Sequence, residues 1–243
     1  MFPNNIPFLI FTTKDWNICE AVSLIDKYNL KFVHVFSRRE DLNNNVIEQY
    51  GPRYIFFPHW SWIIPQSIYE KWECVVFHLG DVPYGRGGSP LQNHIERKLY
   101  DTFLSALKVT KRIDQGPVYL KRSISLWGSA EEIYMRAAKI IFLEMIPWIL
   151  ENESFPQEQQ GEGTFFPRRH EEQSDFNRNT IESLDDIFDI VRMLDADGYP
   201  HAYLEYGSFR LTFSRAQRKY GKVIADVEIT HLPCVSKGNK END

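Results

Sequence analysis

Residues 72–119 read WECVVFHLGDVPYGRGGSPLQNHIERKLYDTFLSALKVTKRIDQGPVY, and this stretch decides the fold. Cys74 to Phe77 is a β-branched apolar run of the length expected of a buried strand. It ends on a polar side chain, His78. A Gly/Pro-rich loop from Gly80 to Pro90 follows, then a short helical segment, a second apolar strand and the turn Ile113-Asp114-Gln115-Gly116. A buried strand that delivers a polar residue to an irregular glycine loop is how open α/β sheets present chemistry. On that reading His78 and Asp114 form the reacting end of the molecule. Spacing alone equally allows a satisfied core histidine and a turn aspartate.

Upstream, Pro7 to Thr12 (PFLIFT) predicts a first buried strand. Lys14 to Tyr28 predicts a helix, with Ile18, Val22 and Ile25 at helical spacing. Lys31 to Phe36 is a second strand, Ser37 to Asn45 a polar loop, and Tyr54 to Phe57 a third strand announced by Gly51-Pro52. This alternation argues for a parallel sheet with helices on its faces. No glycine fingerprint follows the first strand, which continues as FTTKDW, and this argues against a dinucleotide hydride enzyme. After the third strand, Trp60 and Trp62 flank Ser61 in a loop. They suit either the walls of a slot for a planar ring or the packing of a sheet edge. Pro65 opens a helix to Trp72, and His59 reads as a loop hydrogen-bonder.

Downstream, Ser89-Pro90 reads as the cap and first residue of a helix to Arg97. Thr102 to Val109 and Pro117 to Leu126 are strands joined by the Asp114 turn. Ser129 and Glu132 form a capping box for a helix through Ile149. Composition shifts at Glu151, and the Glu/Gln/Gly-rich residues 151–163 read as a linker. Helix 183–193, a hairpin over 201–206 and 209–213, and a strand over 222–229 make a smaller α+β unit. The expected organisation is a catalytic domain over 1–152, a small domain over 153–235 and a frayed tail over 236–243.

The chain has 243 residues and a formal net charge of -5, which argues against general nucleic-acid binding. Its three cysteines, Cys19, Cys74 and Cys234, lack metal spacing and fit a reduced, cytoplasmic compartment. The apolar start, Ile6 to Phe11, lacks the length and basic flank of a signal peptide. No segment approaches the apolar length of a membrane span.

An imidazole and a nearby carboxylate can share a proton. Such a pair suits attack by an amine on an acyl carbon, where nitrogen loses a proton while charge gathers on oxygen. Backbone amides of the glycine loop or a side-chain amide would stabilise that oxygen. No nucleophile elbow and no zinc ligand set is present, so direct transfer fits better than a covalent acyl-enzyme.

His78-x-x-x-x-Pro83-x-x-Arg86-Gly87-x-x-Pro90, with Asp114-Gln115-Gly116 thirty-six residues beyond the histidine, resembles the signature of the folate-dependent formyltransferases. Trp60-Ser61-Trp62-Ile63-Ile64-Pro65 resembles that family's pterin-holding loop, and the likeness runs from about Phe8 to Leu150. It implies a Rossmann-like, mainly parallel sheet and N10-formyltetrahydrofolate as formyl donor. It implies His78 and Asp114 as catalytic residues, and Trp60, Ser61, Trp62, Ile63, Ile64 and Asp114 as donor-binding. One position departs. The family carries asparagine two residues before the histidine, and this chain has Val76. Asn93, just past the loop, is the expected replacement as oxyanion donor; a solvated helix face is its other reading.

For the acceptor, residues 156–235 hold nine Lys/Arg against fourteen Asp/Glu, a poor match to tRNA phosphates. Gly163 to Arg169 and Gly198-Tyr199-Pro200-His201-Ala202 resemble second-lobe motifs of sugar N-formyltransferases. The glycine loop resembles enzymes acting on a UDP-linked 4-amino-4,6-dideoxy sugar of a pseudaminic-acid-type, surface-glycan pathway. The resemblance thus implies a nucleotide-linked amino sugar as partner; the charge balance and the lack of a long apolar run add the expectation of no nucleic acid and no membrane, and exposed apolar strands in the second lobe would favour a homodimer. Pro83, Tyr84, Gly85, Arg86, Gly87, Gly88, Arg168 and Arg169 would bind that substrate. The alternatives are another amine, such as methionyl-tRNA or glycinamide ribonucleotide, or a binding protein without catalysis.

Overall fold

The computed structural model describes residues 6–153 and 155–232. The expected tail over 236–243 and Cys234 lie outside the described residues. The chain divides into two compact units between Arg168 and Arg169, so residues 153–168 belong with the first unit rather than with the small domain.

In the first unit, β1 (Phe8–Phe11), α1 (Asp15–Tyr28), β2 (Val33–Phe36), α2 (Asn44–Tyr50), β3 (Tyr54–Phe57), α3 (Gln66–Tyr69) and β4 (Glu73–Leu79) follow one another. A two-residue strand β5 (Arg86–Gly87) and helix α4 (Pro90–Glu96) lead to β6 (Asp101–Lys108) and β7 (Val118–Ser125). The sheet order is β2-β1-β3-β4-β6-β7. β1 to β4 are mutually parallel, whereas β6 runs antiparallel to β4 and β7 antiparallel to β6. The sheet is therefore mixed but mostly parallel.

β1 and β3 are buried along their whole length, as a strand covered on both faces must be. Leu9, Phe11, Ile55 and Phe57 pack with Ile47 of α2, Ile68 of α3 and Ile64 in one apolar layer. Alternation sends Phe8 and Phe56 to the opposite face, where their rings meet edge-on at 5.5 Å. Helix α2 arises in a stretch read as loop. Asn43 caps it by accepting from Val46 N at 3.0 Å, and Gly51 ends it at φ +53°. One apolar side chain, Ile47, is buried on it, too few for a periodic signal.

The expected long helix starts on its capping box, Ser129 with Glu132. It runs as α5 (Ala130–Ile140), widens into a π turn over Ile141–Met145, and continues as α6 (Ile146–Asn152). Pro147 explains the widening. It has no N–H to give the preceding turn, and its ring crowds the carbonyl four residues back. A second two-residue strand, β8 (Phe165–Phe166), then pairs in parallel with β5.

The second unit holds α7 (Leu184–Leu194) and an antiparallel sheet of β9 (Ala202–Tyr206), β10 (Phe209–Lys219) and β11 (Lys222–His231) in the order β11-β10-β9. The hairpin is longer than its sequence suggests because a bulge between Ser214 and Gln217, with Arg215 at φ +51°, lets β10 continue. Arg192 Nε donates to Asp189 Oδ1 at 2.7 Å within α7, both side chains being buried. No helix among the described residues is long and apolar enough to cross a membrane.

Candidate active site

His78 is 7% exposed on β4, one residue before the strand ends. Its Nε2 lies 2.7 Å from Gly85 O. A carbonyl only accepts, so Nε2 carries its hydrogen and the ring is oriented through it. The other nitrogen, Nδ1, faces Asp114 Oδ2 at 3.4 Å. With Nε2 already protonated, a bare Nδ1 would set a lone pair against a carboxylate. A hydrogen on Nδ1 would instead point at that carboxylate, so the geometry sets the two groups within reach of one another for proton transfer.

Asp114 reaches this point by a turn held from several sides. β6 runs antiparallel to β4, setting Lys108 opposite Val75 and Ser105 opposite His78. The residues after Lys108 then fold back toward the histidine. Asp114 sits at φ +53°, a left-handed conformation that aspartate tolerates. Gly116 follows because the turn passes so close to β6 that a Cβ there would stand 1.8 Å from Lys108 O. Gly87 N donates to Asp114 Oδ2 at 3.0 Å, and Gly87 adopts φ +99° with no room for a side chain against Phe166 O.

The glycine amides of the loop are taken up, mostly by oxygens from outside it. Gly80 N donates to His78 O, Tyr84 N to Asp81 O, Arg86 N to Thr164 O and Gly88 N to Phe166 O, all at 3.0–3.1 Å. Gly85 N donates to Thr164 Oγ1 at 2.8 Å. The expectation that these amides hold an oxyanion is therefore corrected: each already has an acceptor. Asn93 is corrected for the same reason. Only 2% exposed, it directs its amide nitrogen at Gly88 O, Ser89 O and Pro167 O within 3.0–3.2 Å. Its Oδ1 accepts from Arg97 at 2.9 Å. Asn93 fastens the loop and has no hydrogen left for a substrate. Val76 lies on the same face of β4 as His78, half-buried.

The remaining expected residues fall as follows. Trp60 turns inward, 5.9 Å from both Phe11 and Phe57, so it is not an outer wall. Its Nε1 is buried with no hydrogen-bond partner among the described residues. Trp62 and Ile63 are 36% and 74% exposed, Ser61 is exposed, and Ile64 is buried. Pro83 follows a cis peptide, and Lys121 anchors the loop through Asp81 Oδ1 at 2.5 Å and Val82 O at 2.6 Å. Tyr84 meets Phe166 edge-on at 5.4 Å. The backbone of Arg168 lies against Gly88, at 2.7 Å from where a Cβ would stand. Arg169 belongs to the second unit, where its Nη2 donates to Gln173 O at 2.7 Å.

Two neighbouring histidines are poor proton carriers. Burial, reinforced by the charge of Lys14, holds His59 down at about 4. Burial likewise lowers His94 from its ordinary value. One contributor escapes the sequence reading altogether. Gln159, in the stretch read as a linker, hydrogen-bonds to the carbonyls of Asp114 and Gly116 and to the guanidinium of Arg86.

A family model described as the methionyl-tRNA formyltransferase C-terminal domain matches residues 171–230. A solved structure described as methionyl-tRNA formyltransferase from Clostridium thermocellum is 48% identical, with a TM-score of 0.90, and is matched over 93% of this chain and 100% of its own. A methionyl-tRNA formyltransferase from Anaplasma marginale is 27% identical over 44% of this chain and 36% of its own. The chain spans less than two thirds of the curated relatives it matches. A sugar N-formyltransferase from a Shewanella species shares the fold at a TM-score of 0.64 and 14% identity, with 93% of this chain and 98% of its own covered. These findings overturn the expected acceptor and partner. The relatives with substantial identity are named for methionyl-tRNA, so a nucleotide-linked amino sugar, with Arg168 and Arg169 as its binders, and the exclusion of nucleic acid both fall.

Proposed function

The chain belongs to the folate-dependent formyltransferase family, and on that premise we propose that it transfers the formyl group of N10-formyltetrahydrofolate to the amino group of methionyl-tRNA. The observation that carries the acceptor is the 48% identity, over 100% of its length, to a structure described as that enzyme.

The loop leaving β3, next to β4, suits the donor's pterin. Trp60 Nε1 there is a buried donor without a partner among the described residues, beside the open Trp62 and Ile63. Trp60, Ser61, Trp62, Ile63 and Ile64, with Asp114, are the residues that would hold it. Bound there, the folate supplies an activated one-carbon unit. The chain's own residues handle protons and charge. With Nε2 tied to Gly85, Nδ1 of His78 is the atom that carries the mobile proton. Protonated, it donates toward the oxygen on which negative charge gathers; Asp114 takes the proton the amine loses as the new C–N bond forms, and the pair returns one proton to the donor's leaving nitrogen as the old C–N bond breaks.

Val76 and the committed loop amides leave this donor without a companion. Val76→Asn is therefore expected to raise kcat about 10-fold, part of the roughly 10²–10³ that one oxyanion donor is worth. Steady-state kinetics measure it, and a rate at or below that of the parent chain counts against His78 as the lone donor.

The acceptor is tested directly. Purified chain with N10-formyltetrahydrofolate and methionyl-tRNA is expected to yield formylmethionyl-tRNA, detected by mass spectrometry after deacylation. Turnover of the donor with no formyl found on the aminoacyl group refutes this acceptor.

A further inference from the structure

We infer that Gln159 is a positioning residue that sets the gap between Asp114 and His78 by tying the aspartate turn to the glycine loop. The inference rests on the reading of His78 and Asp114 as the reacting pair.

One primary amide carries the whole connection. Gln159 Nε2 donates to Asp114 O at 2.9 Å and to Gly116 O at 2.8 Å. Its Oε1 accepts from Arg86 Nε at 3.0 Å and Nη2 at 2.7 Å. Both amide hydrogens face carbonyls and the oxygen faces a cation, an arrangement that glutamine satisfies and glutamate does not. The placement of Arg86 gives the link its reach. On one side is Gly85, whose carbonyl holds His78 Nε2. On the other is Gly87, whose N–H holds Asp114 Oδ2. Gln159 therefore joins the two segments that orient the imidazole and the carboxylate.

Its own backbone is fixed. Gln157 and Val118 exchange two backbone hydrogen bonds at 2.7 and 2.8 Å, which lays residues 157–159 along the start of β7. Without the tie, a left-handed aspartate on a turn loses the hydrogen bonds that the amide gives its carbonyls. The 3.4 Å contact between Nδ1 and Oδ2 is long enough that a small outward drift takes the two groups out of hydrogen-bond reach.

The test compares the full chain with Gln159→Met, which keeps length and volume but not the hydrogen bonds, and Gln159→Glu, which turns acceptors on the two carbonyls. Asp114→Asn serves as reference. With N10-formyltetrahydrofolate and methionyl-tRNA, both Gln159 variants are expected to lose about 10–100-fold in kcat, as misplacement of a reacting group does, with KM for the donor within threefold. In nitrogen NMR at one pH, the His78 Nδ1 resonance is expected to move toward its position in Asp114→Asn while Nε2 stays. A lowered melting temperature with unchanged kcat per folded molecule, or an unmoved Nδ1 resonance in a folded variant, overturns the role of Gln159. If one variant does not fold, the other decides. Full activity of Asp114→Asn instead strikes at the reacting pair itself, a failure distinct from that of Gln159.

Discussion

Asp114→Asn is expected to lower kcat by about 10²–10⁴-fold, the range that a positioned acid–base group contributes, while binding of the folate donor, which five residues of the loop after β3 also hold, falls by much less. The reason lies in how the pair is wired. His78 Nε2 is spent on Gly85 O, so the proton that matters sits on the side of Asp114. An asparagine keeps the shape and can still accept from Gly87 N, but its amide neither takes a proton from an amine nor balances an imidazolium. The fold should be untouched, because the residue is already a tolerated left-handed position and asparagine adopts that conformation as readily. Single-turnover formyl transfer with donor binding measured in parallel separates the two effects. A rate within tenfold of the parent chain removes Asp114 from the chemistry.

Gly116→Ala is the second large effect. The new methyl would stand 1.8 Å from Lys108 O and 3.2 Å from Thr110 Cγ2. Lys108 N is itself bonded to Pro117 O at 2.9 Å, so neither side of the contact yields without opening the junction of β6 and β7. The strand ends must part, and the turn that carries Asp114 moves with them. The expected cost is about 3 kcal/mol of stability, the upper part of the overpacking range, together with a loss of about 10²-fold in kcat from the displaced carboxylate. Urea unfolding midpoints and kcat per folded molecule check it. An unchanged midpoint shows that the turn relaxes freely and that its tightness is not what places Asp114.

The meeting of His78 and Asp114 is legible in the sequence through the resemblance to the formyltransferase signature, because their surroundings alone equally allow a core histidine and a turn aspartate. One ends an apolar run, and the other sits between an isoleucine and a glycine that must turn. The parallel core is legible directly: β1 and β3 are so buried that nothing polar interrupts them. The donors around the site are not legible. Whether a backbone N–H is free depends on which carbonyl comes to face it, and Thr164 and Phe166 lie nearly eighty residues from the amides they occupy. No periodicity records such a pairing. Asn93 is misleading on the same account, since its distance from His78 along the chain says nothing of the three carbonyls that claim its amide. Gln159 is hidden by composition, because a glutamine among Glu, Gln and Gly carries the signature of a solvated linker. The acceptor is not legible either. A net count of nine cations against fourteen anions weighs a whole lobe, whereas phosphate contacts depend on where individual cations stand.

The parallel pairing of Arg86-Gly87 with Phe165-Phe166 bears on how such chains are cut and recombined. A junction placed after α6, where composition changes, would leave the catalytic loop without the neighbour that takes up its amides. A chimera that exchanges the second lobe must carry the first one's chain through Arg168. Swaps made at the compositional border would then look like changes of acceptor preference when what they had altered was the seam under the reacting pair.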